Sequence, residues 1–222
     1  IRILYLPFLN MFDQWQTIIV FLSIASMIFG AVAAIGQKNL KRLIAYSSIG
    51  HMGYILAGIS TGTNAGIQSS IIYISIYFVM NLGLFCCVFT LKRNNKYYEN
   101  IEDLSGLSKN HPLVALSMLI LLFSLAGIPP MAGFFAKFYI FSAVIENSMY
   151  YLAIIGLLST VVSAFYYLRI IKIIYFDSEK EKYDTDYNLG LKISLALTTL
   201  LIFSYFAFPS KLIEIISQIN II

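Results

Sequence analysis

Charged residues are scarce in this sequence. Only 12% of the 222 residues are charged and 59% are hydrophobic, whereas a soluble globular domain has about 25% charged residues. The formal net charge of +4 would indicate a nucleic-acid partner only if the basic residues formed one face. They lie instead in short blocks between long apolar runs. The composition therefore excludes a soluble domain, and the distribution of charge gives no indication of a nucleic-acid partner.

Residues suited to redox, metal or cofactor chemistry are also lacking. The two cysteines, Cys86 and Cys87, are adjacent within an apolar run. This spacing is unsuited to a structural disulfide, and two thiols are too few for a zinc site. The sequence contains no phosphate loop, dinucleotide fingerprint or nucleophile elbow. We therefore expect no catalytic residue, cofactor or metal on this chain, and no redox chemistry.

Long apolar runs dominate what is present. A bilayer core is about 30 Å thick and a helix rises about 1.5 Å per residue, so a crossing needs about 20 apolar residues. Six segments qualify, and they predict an all-α, polytopic membrane protein. The segments are 17–36, 43–60, 67–91, 112–145, 149–175 and 189–208.

The tail after the last segment, 209–222, has apolar residues at helical spacing with polar residues opposite. This pattern predicts a short helix lying in the membrane interface. The apolar residues are Leu212, Ile215, Ile216, Ile219 and Ile222.

The fourth segment is too long for one straight crossing, and its middle contains Gly127, Pro129, Pro130 and Gly133. Proline removes a backbone donor and clashes with the preceding turn, so we predict an interrupted helix. A broken helix persists at membrane depth only where protein or a water-filled cavity surrounds it. The interruption therefore predicts a transport site.

The basic residues predict the orientation. Twelve of the 15 lysines and arginines lie in loops or segment ends on one side, Arg2 and Lys211 lie on the other, and Lys137 lies within the fourth segment. The twelve-residue side is therefore expected to be cytoplasmic, or matrix, with both termini on the outer side. The inner loops 92–111 and 176–188 contain eight of the 11 acidic residues. They are interpreted as solvated surface or contacts with neighbouring subunits.

Two ionisable residues, Lys137 and His51, lie well inside the predicted spans. An ammonium at membrane depth must face a protein interior, a cavity or a partner, and burial disfavours its charged form. Lys137 is therefore a candidate proton site, and the alternative is a side chain that extends to an interface. His51 is either a satisfied polar group or a proton relay.

Two further patterns concern polar and small residues. Tyr73, Tyr77 and Asn81 share one face of the third segment, which suits a water-lined path, and core packing with bonded hydroxyls explains them about as well. The run 45–54 is rich in small and hydroxyl residues, which allow helices to approach closely.

Two stretches, NLKRLIAYSSIGHMGY at 39–54 and LAGIPPMAGFFAKF at 125–138, resemble the antiporter-like proton-pumping subunits of respiratory complex I. The resemblance is strongest to the branch called subunit N, because 77–85 lacks the histidine and lysine usual in sister subunits L and M. Family members are similar in having fourteen transmembrane helices, with two inverted five-helix repeats that each contain a broken helix. The resemblance implies that 1–16 ends a preceding helix and forms an outer loop. It also implies that 17–175 is one repeat and 189–208 the last helix.

By this resemblance the chain is a membrane-arm subunit of NADH:quinone oxidoreductase, which couples electron transfer from NADH to quinone to proton translocation. FMN, iron–sulfur clusters and quinone would be on other subunits. Lys137 matches the lysine of the broken twelfth helix, the outward-side proton site. His51 matches the family's Ser-His-x-Gly-Tyr pattern, with Gly50 in the place of the serine. Tyr77 and Asn81, which are candidates from their helical spacing alone, complete the set expected to carry protons.

The resemblance also implies partners and location. The partners are other membrane-arm subunits and the lipid bilayer, in a bacterial inner membrane or a mitochondrial inner membrane. The family's remaining charged residues would precede Ile1, so the N-terminal half is expected to be missing or separately encoded. Two alternatives stay open. One is a subunit of a cation/proton antiporter or membrane-bound hydrogenase of the same ancestry, and the other is a non-catalytic membrane scaffold.

Overall fold

A computed structural model of the chain describes residues 1–5, 7–93, 96–178, 180, 183–184 and 188–218. Its elements in this part of the chain are mostly helices that pack around a shared apolar core. In chain order they are α1 (Arg2–Tyr5), α2 (Phe12–Ile35), α3 (Leu40–Ile59), α4 (Asn64–Thr90), β1 (Lys92–Arg93), β2 (Lys96–Tyr97), α5 (Leu107–Asn110), α6 (Pro112–Ala126), α7 (Ala132–Glu146), α8 (Tyr150–Phe176), α9 (Leu189–Ser204) and α10 (Pro209–Ser217). Short 3-10 turns occur at Leu9–Met11 and Ile101–Leu104.

Three of the helices, α2, α4 and α8, are long and apolar enough to cross a membrane, and a bent pair, α9 with α10, would make a fourth. Helix α3 has 20 residues, which gives the required length, but its basic, hydroxyl and histidine residues lower its hydropathy. Helices α6 and α7 have 15 residues each, about 22 Å, so each can cross only part of a bilayer. The chain is thus a mostly helical membrane protein.

The ends of most predicted segments lie within three residues of the helices in the structure, and two ends differ by more. Helix α2 begins at Phe12, so residues 12–16 belong to a helix and not to an outer loop. Within the last predicted segment, 189–208, α9 stops at Ser204, and α10 turns from it by 88°. Pro209 begins α10, and its ring would clash with a helix continued through the preceding turn.

The predicted tail helix is present as α10 and packs beside α4, where the Gln68 side chain donates to the Ser217 carbonyl at 3.5 Å. Only part of its predicted apolar face packs on the bundle. Ile216 is buried, whereas Ile215 is 65% exposed. Ile219 and Ile222, which complete the predicted face, lie outside the described residues.

Small residues bring α2 and α3 into direct backbone contact. A Cβ atom added to Gly30 would lie 2.8 Å from both the Gly50 Cα and the Tyr46 carbonyl oxygen. Beside this contact, the Ser23 hydroxyl donates to the Gly53 carbonyl at 2.7 Å. The close approach is of the kind that the small residues of 45–54 predict, and it fixes the helix that carries His51.

The described residues of the first inner loop pack against the helices, which differs from the solvated surface that is one of its two interpretations. Strands β1 and β2 pair in antiparallel orientation, a small departure from an all-α fold, with Lys92 opposite Tyr97. The chain after β2 docks on the start of α3, where the Leu40 amide donates to the Glu99 carbonyl at 2.6 Å. Ile101 and Leu104 are buried. Apolar side chains within a mostly polar loop explain the difference, because their burial holds the loop against the helices.

We predict that Gly30→Ala lowers the stability of the assembled protein by about 1–3 kcal/mol, the usual cost of inserting a methyl group into a packed interface. Its neighbours here are backbone atoms, which cannot turn away. The matched control is Gly36→Ala, because an added Cβ meets nothing within 4 Å at Gly36. Thermal unfolding of the two purified variants checks this, and equal midpoints would contradict the close approach of α2 and α3.

A second prediction concerns pH. The Lys41 ammonium bonds to Glu99 at 2.6 Å, and this bond lowers the pKa of Glu99, with help from the Asn39 side chain. The stabilisation of the loop is therefore complete above the usual glutamate pKa of about 4.3 and is lost as pH falls through the lower folded value. Hydrogen exchange of this loop, corrected for intrinsic rates, should rise at that pH in the parent.

Glu99→Gln should show faster exchange in the same loop at neutral pH and no such step on acidification. Glu102→Gln, a change at an exposed carboxylate beside the docked loop, is the control and should behave like the parent. If Glu99→Gln kept the parental protection and the acid step, the ion pair would not hold the loop.

Candidate functional site

The interruption between α6 and α7 leaves two backbone carbonyls without helical partners. In a continuous helix the carbonyls of Leu125 and Ala126 would accept from the amides of residues 129 and 130. Both of those residues are prolines and have no N–H. Gly127 ends α6 in a left-handed conformation, with φ of +83°. The structure places the interruption where the sequence predicts it.

Lys137 occupies the position of the missing donors. Its side chain extends from α7, and Nζ donates to the Leu125 carbonyl at 3.1 Å and to the Ala126 carbonyl at 3.2 Å. The residue is 5% exposed, so its side chain does not extend to an interface. The carboxyl end of a helix carries partial negative charge, and the ammonium therefore bonds where the bundle interior favours a cation.

The two half-helices are held together at Gly133 and Ser124. The Gly133 amide donates to the Ser124 hydroxyl at 2.9 Å, and a Cβ on Gly133 would lie 2.7 Å from the Ser124 carbonyl carbon. Gly133 thus lies in the first turn of α7 and not within the interruption itself. The Lys137 chain passes beside Gly127, where a Cβ would lie 3.0 Å from Lys137 Cδ. These contacts determine where the ammonium lies.

His51 lies in a second polar cluster, formed by α3, α4 and α8. Its Nδ1 lies 2.7 Å from the Tyr73 hydroxyl, and its Nε2 lies 3.1 Å from the Tyr167 hydroxyl. The Tyr167 hydroxyl in turn donates to Ser47 at 2.9 Å. Tyr77 stacks on the imidazole, with ring centroids 4.8 Å apart. Both ring nitrogens of His51 therefore have hydroxyl partners.

The predicted face of α4 is only partly reproduced. Tyr73 and Tyr77 both contact His51, and the Tyr77 hydroxyl donates to Ser48 at 2.6 Å. Asn81, one turn further along α4, is half-buried and has no bond to the His51 cluster within the described chain. The structure therefore brings two of the three face residues to the histidine.

Tyr54 connects the two clusters. Lys137 Nζ lies 5.2 Å from the centroid of the Tyr54 ring, and the His51 and Tyr54 ring centroids are 6.0 Å apart. The Tyr54 hydroxyl pairs with Ser159 at 3.3 Å and with Thr160 at 3.1 Å. A line of polar and aromatic groups thus runs from Ser47 to the broken helix.

Sequence reasoning missed the contribution of α8 and the role of Tyr54. The signal was present, because hydroxyl residues recur along α8 at spacings that place several on one helix face. They are Ser159, Thr160, Ser163, Tyr166 and Tyr167. Among the described residues, no group of three or more histidine, cysteine, aspartate or glutamate side chains is arranged to hold a metal ion.

A family profile matches residues 1–163 of the chain, and its description is NADH:quinone oxidoreductase/Mrp antiporter, transmembrane. The chain belongs to this family. The match confirms the resemblance that the two sequence stretches indicate, and it includes Lys137, His51 and the interruption.

Relatives within the family carry more specific names. The chain is 75% identical over its whole length to NADH-quinone oxidoreductase subunit N of Pelagibacter ubique, of which it covers 47%. It is 51% identical over 96% of its length to subunit N of Parvibaculum lavamentivorans, of which it covers 44%. The chain therefore spans about half the length of these curated relatives.

Among solved structures, the chain is similar to a subunit of respiratory complex I from Thermus thermophilus with bound NADH. The identity is 26% and the TM-score 0.78, over 93% of this chain and 45% of that one. The similarity in fold therefore extends over nearly the whole chain and again matches about half of the larger protein.

We predict that Tyr73→Phe destabilises the protein more than Tyr77→Phe. Removal of the Tyr73 hydroxyl leaves a buried His51 nitrogen without its partner, which costs about 1–3 kcal/mol. Loss of the Tyr77 hydroxyl leaves Ser48 bonded to the Ile44 carbonyl at 2.8 Å. Thermal unfolding of the two purified variants compares them, and a larger loss for Tyr77→Phe would contradict the bonding assigned to His51.

Proposed function

We propose that this chain forms part of a membrane-arm subunit of a proton-translocating NADH:quinone oxidoreductase, in which Lys137 is a proton site. The observation that carries the proposal is the buried Lys137 ammonium on the two carbonyls freed by Pro129 and Pro130. The 75% identical relative named NADH-quinone oxidoreductase subunit N supports the choice of complex. Quinone reduction elsewhere in the complex would drive translocation.

In this mechanism Lys137 gains a proton from the inner side and releases it outward when the charge near it rises. Moving one charge against 100 mV costs about 2.3 kcal/mol, and a tenfold change in proton affinity corresponds to about 1.4 kcal/mol. A change in affinity of one to two orders of magnitude at Lys137 is therefore sufficient. The fixed carbonyls of Leu125 and Ala126 stabilise the protonated state before release.

The His51 cluster is the proposed inward route. His51 can accept a proton at one ring nitrogen and give one up at the other, and hydroxyls lie at both. Tyr77 flanks this route by stacking on the imidazole. Asn81 would act further along α4 through water, since it has no direct bond to the cluster. Gly127 and Gly133 position Lys137 and do not carry protons.

The architecture of the whole subunit is also proposed. Six crossings follow if α3, the α6–α7 pair and the α9–α10 pair each count as one. The 17–175 repeat and the 189–208 helix would then be the last part of a fourteen-helix protein. The positive loops would then be cytoplasmic or in the matrix, and both termini would be outside. Other membrane-arm subunits and the bilayer would be the partners. FMN, iron–sulfur clusters and quinone would be on other subunits, and the N-terminal half on the same or a separate polypeptide.

A cation/proton antiporter is the second candidate, because the matched family description includes Mrp antiporters. In that case translocation would require a sodium gradient and would ignore NADH. The high identity to proteins named subunit N favours the oxidoreductase.

We predict that Lys137→Met abolishes or strongly reduces proton pumping by the purified complex in vesicles. Methionine keeps an apolar stem of similar reach but has no ammonium. Lys172→Met is the matched control, since the Lys172 side chain is 70% exposed near the end of α8. Pumping is measured as protons translocated per NADH oxidised, with the amount of assembled complex determined in parallel.

The two variants separate the candidate functions. If Lys137→Met assembles and pumps like the parent, Lys137 is not a proton site and a scaffold role is favoured. If pumping by the parent depends on sodium and not on NADH, the antiporter is favoured.

A further inference from the structure

Tyr54 is a buried aromatic residue that contacts α4, α7 and α8 around Lys137. It is 2% exposed, and its ring makes an edge contact with Phe141 of α7, with centroids 5.9 Å apart. Its ring lies 5.2 Å from Lys137 Nζ. Its hydroxyl bonds to Ser159 and Thr160 of α8. Each part of the side chain therefore has a fixed partner.

We propose that Tyr54 is the positioning residue of Lys137, and that its ring holds the lysine ammonium over the carbonyl pair of the broken helix. This inference rests on the proposed role of Lys137 as a proton site. Tyr54 itself neither gains nor loses a proton in the proposal. It acts by favouring the charged state of Lys137 in one place.

The attraction follows from the charge distribution of the ring. The face of an aromatic ring carries partial negative charge, and a cation within about 6 Å of the centroid is attracted to it, more strongly when both are out of water. Two of the three N–H groups of Lys137 bond to the Leu125 and Ala126 carbonyls. Within the described chain no carboxylate contacts this ammonium. The Tyr54 ring therefore attracts the Lys137 ammonium, as the carboxylate of an acidic side chain does in an ordinary ion pair.

The ring of Tyr54 is held by its packing against Phe141, and its hydroxyl adds a second attachment. Ser159, which it contacts, also donates to the Met27 carbonyl of α2 at 3.0 Å. The ring is thus attached through Ser159 to a rigid part of the bundle. A phenylalanine at position 54 would keep the ring between the same neighbours, whereas leucine would remove the ring face.

The other titratable side chains near Lys137 are the same in the parent and in the Tyr54 variants. On α3 the group is His51, whose ring centroid lies 6.0 Å from that of Tyr54. On α4 they are Tyr73 and Tyr77, and on α8 they are Tyr166 and Tyr167. Helix α6 has no titratable side chain. A change in pH dependence on replacing Tyr54 therefore reports on the ring itself.

The test measures proton translocation per NADH oxidised against pH, with the purified complex in vesicles. Tyr54→Leu should lower the pH at which pumping falls off on the alkaline side by about one unit, because protonated Lys137 loses its partner. That shift is a tenfold loss of proton affinity. Tyr54→Phe should keep the parental profile. Tyr46→Leu is the matched control on the same helix, since Tyr46 packs on Phe29 away from the site.

A parental profile in Tyr54→Leu, together with loss of pumping in Lys137→Met, would overturn the positioning role and leave the proton site standing. Normal pumping in Lys137→Met would instead overturn the proton site, and the positioning role with it. If Tyr54→Leu does not assemble, phenylalanines with successive ring fluorines at position 54 keep the shape and weaken the ring face. The profile should then shift stepwise with fluorination, and an unchanged profile would overturn the proposal.

Discussion

Two missing hydrogen bonds determine the arrangement of the site. Pro129 and Pro130 stand where a continuous helix would supply amides to Leu125 and Ala126. Inside a bilayer no water replaces those donors unless a cavity admits it, and an unsatisfied carbonyl costs several kcal/mol. The Lys137 ammonium bonds to both carbonyls. The same contact therefore satisfies the broken backbone and makes a charge tolerable at membrane depth.

The rest of the bundle keeps this contact in place. Gly133 allows the two half-helices to meet at Ser124, and close packing of Gly30 on Gly50 fixes α3 against α2. Helix α3 presents Tyr54 to the lysine and His51 to the tyrosines of α4 and α8. In a bilayer the hydrophobic effect contributes little to the association of helices. Small residues where helices cross and hydroxyl hydrogen bonds between helices are the usual means of association there.

Much of this arrangement can be predicted from the sequence, and the features that cannot be predicted have identifiable physical reasons. The interruption and the buried lysine are predictable because proline chemistry and the cost of a buried charge are local properties. The partners of His51 on α8 are not predictable, because the spacing of residues along one helix does not show which other helices lie beside it. Asn81 shares a face with Tyr77 by periodicity, yet the cluster ends before it. The docking of the first inner loop on α3 depends on packing between segments that no single pattern contains.

The central claim is that the Lys137 ammonium takes the place of the two missing amide donors. Electron cryo-microscopy of the assembled membrane complex, at a resolution that shows ordered water, tests this most directly. The account predicts Lys137 Nζ within hydrogen-bonding distance of both the Leu125 and Ala126 carbonyls, with no water between them. Carbonyls bonded to water, with the lysine directed elsewhere, would contradict it.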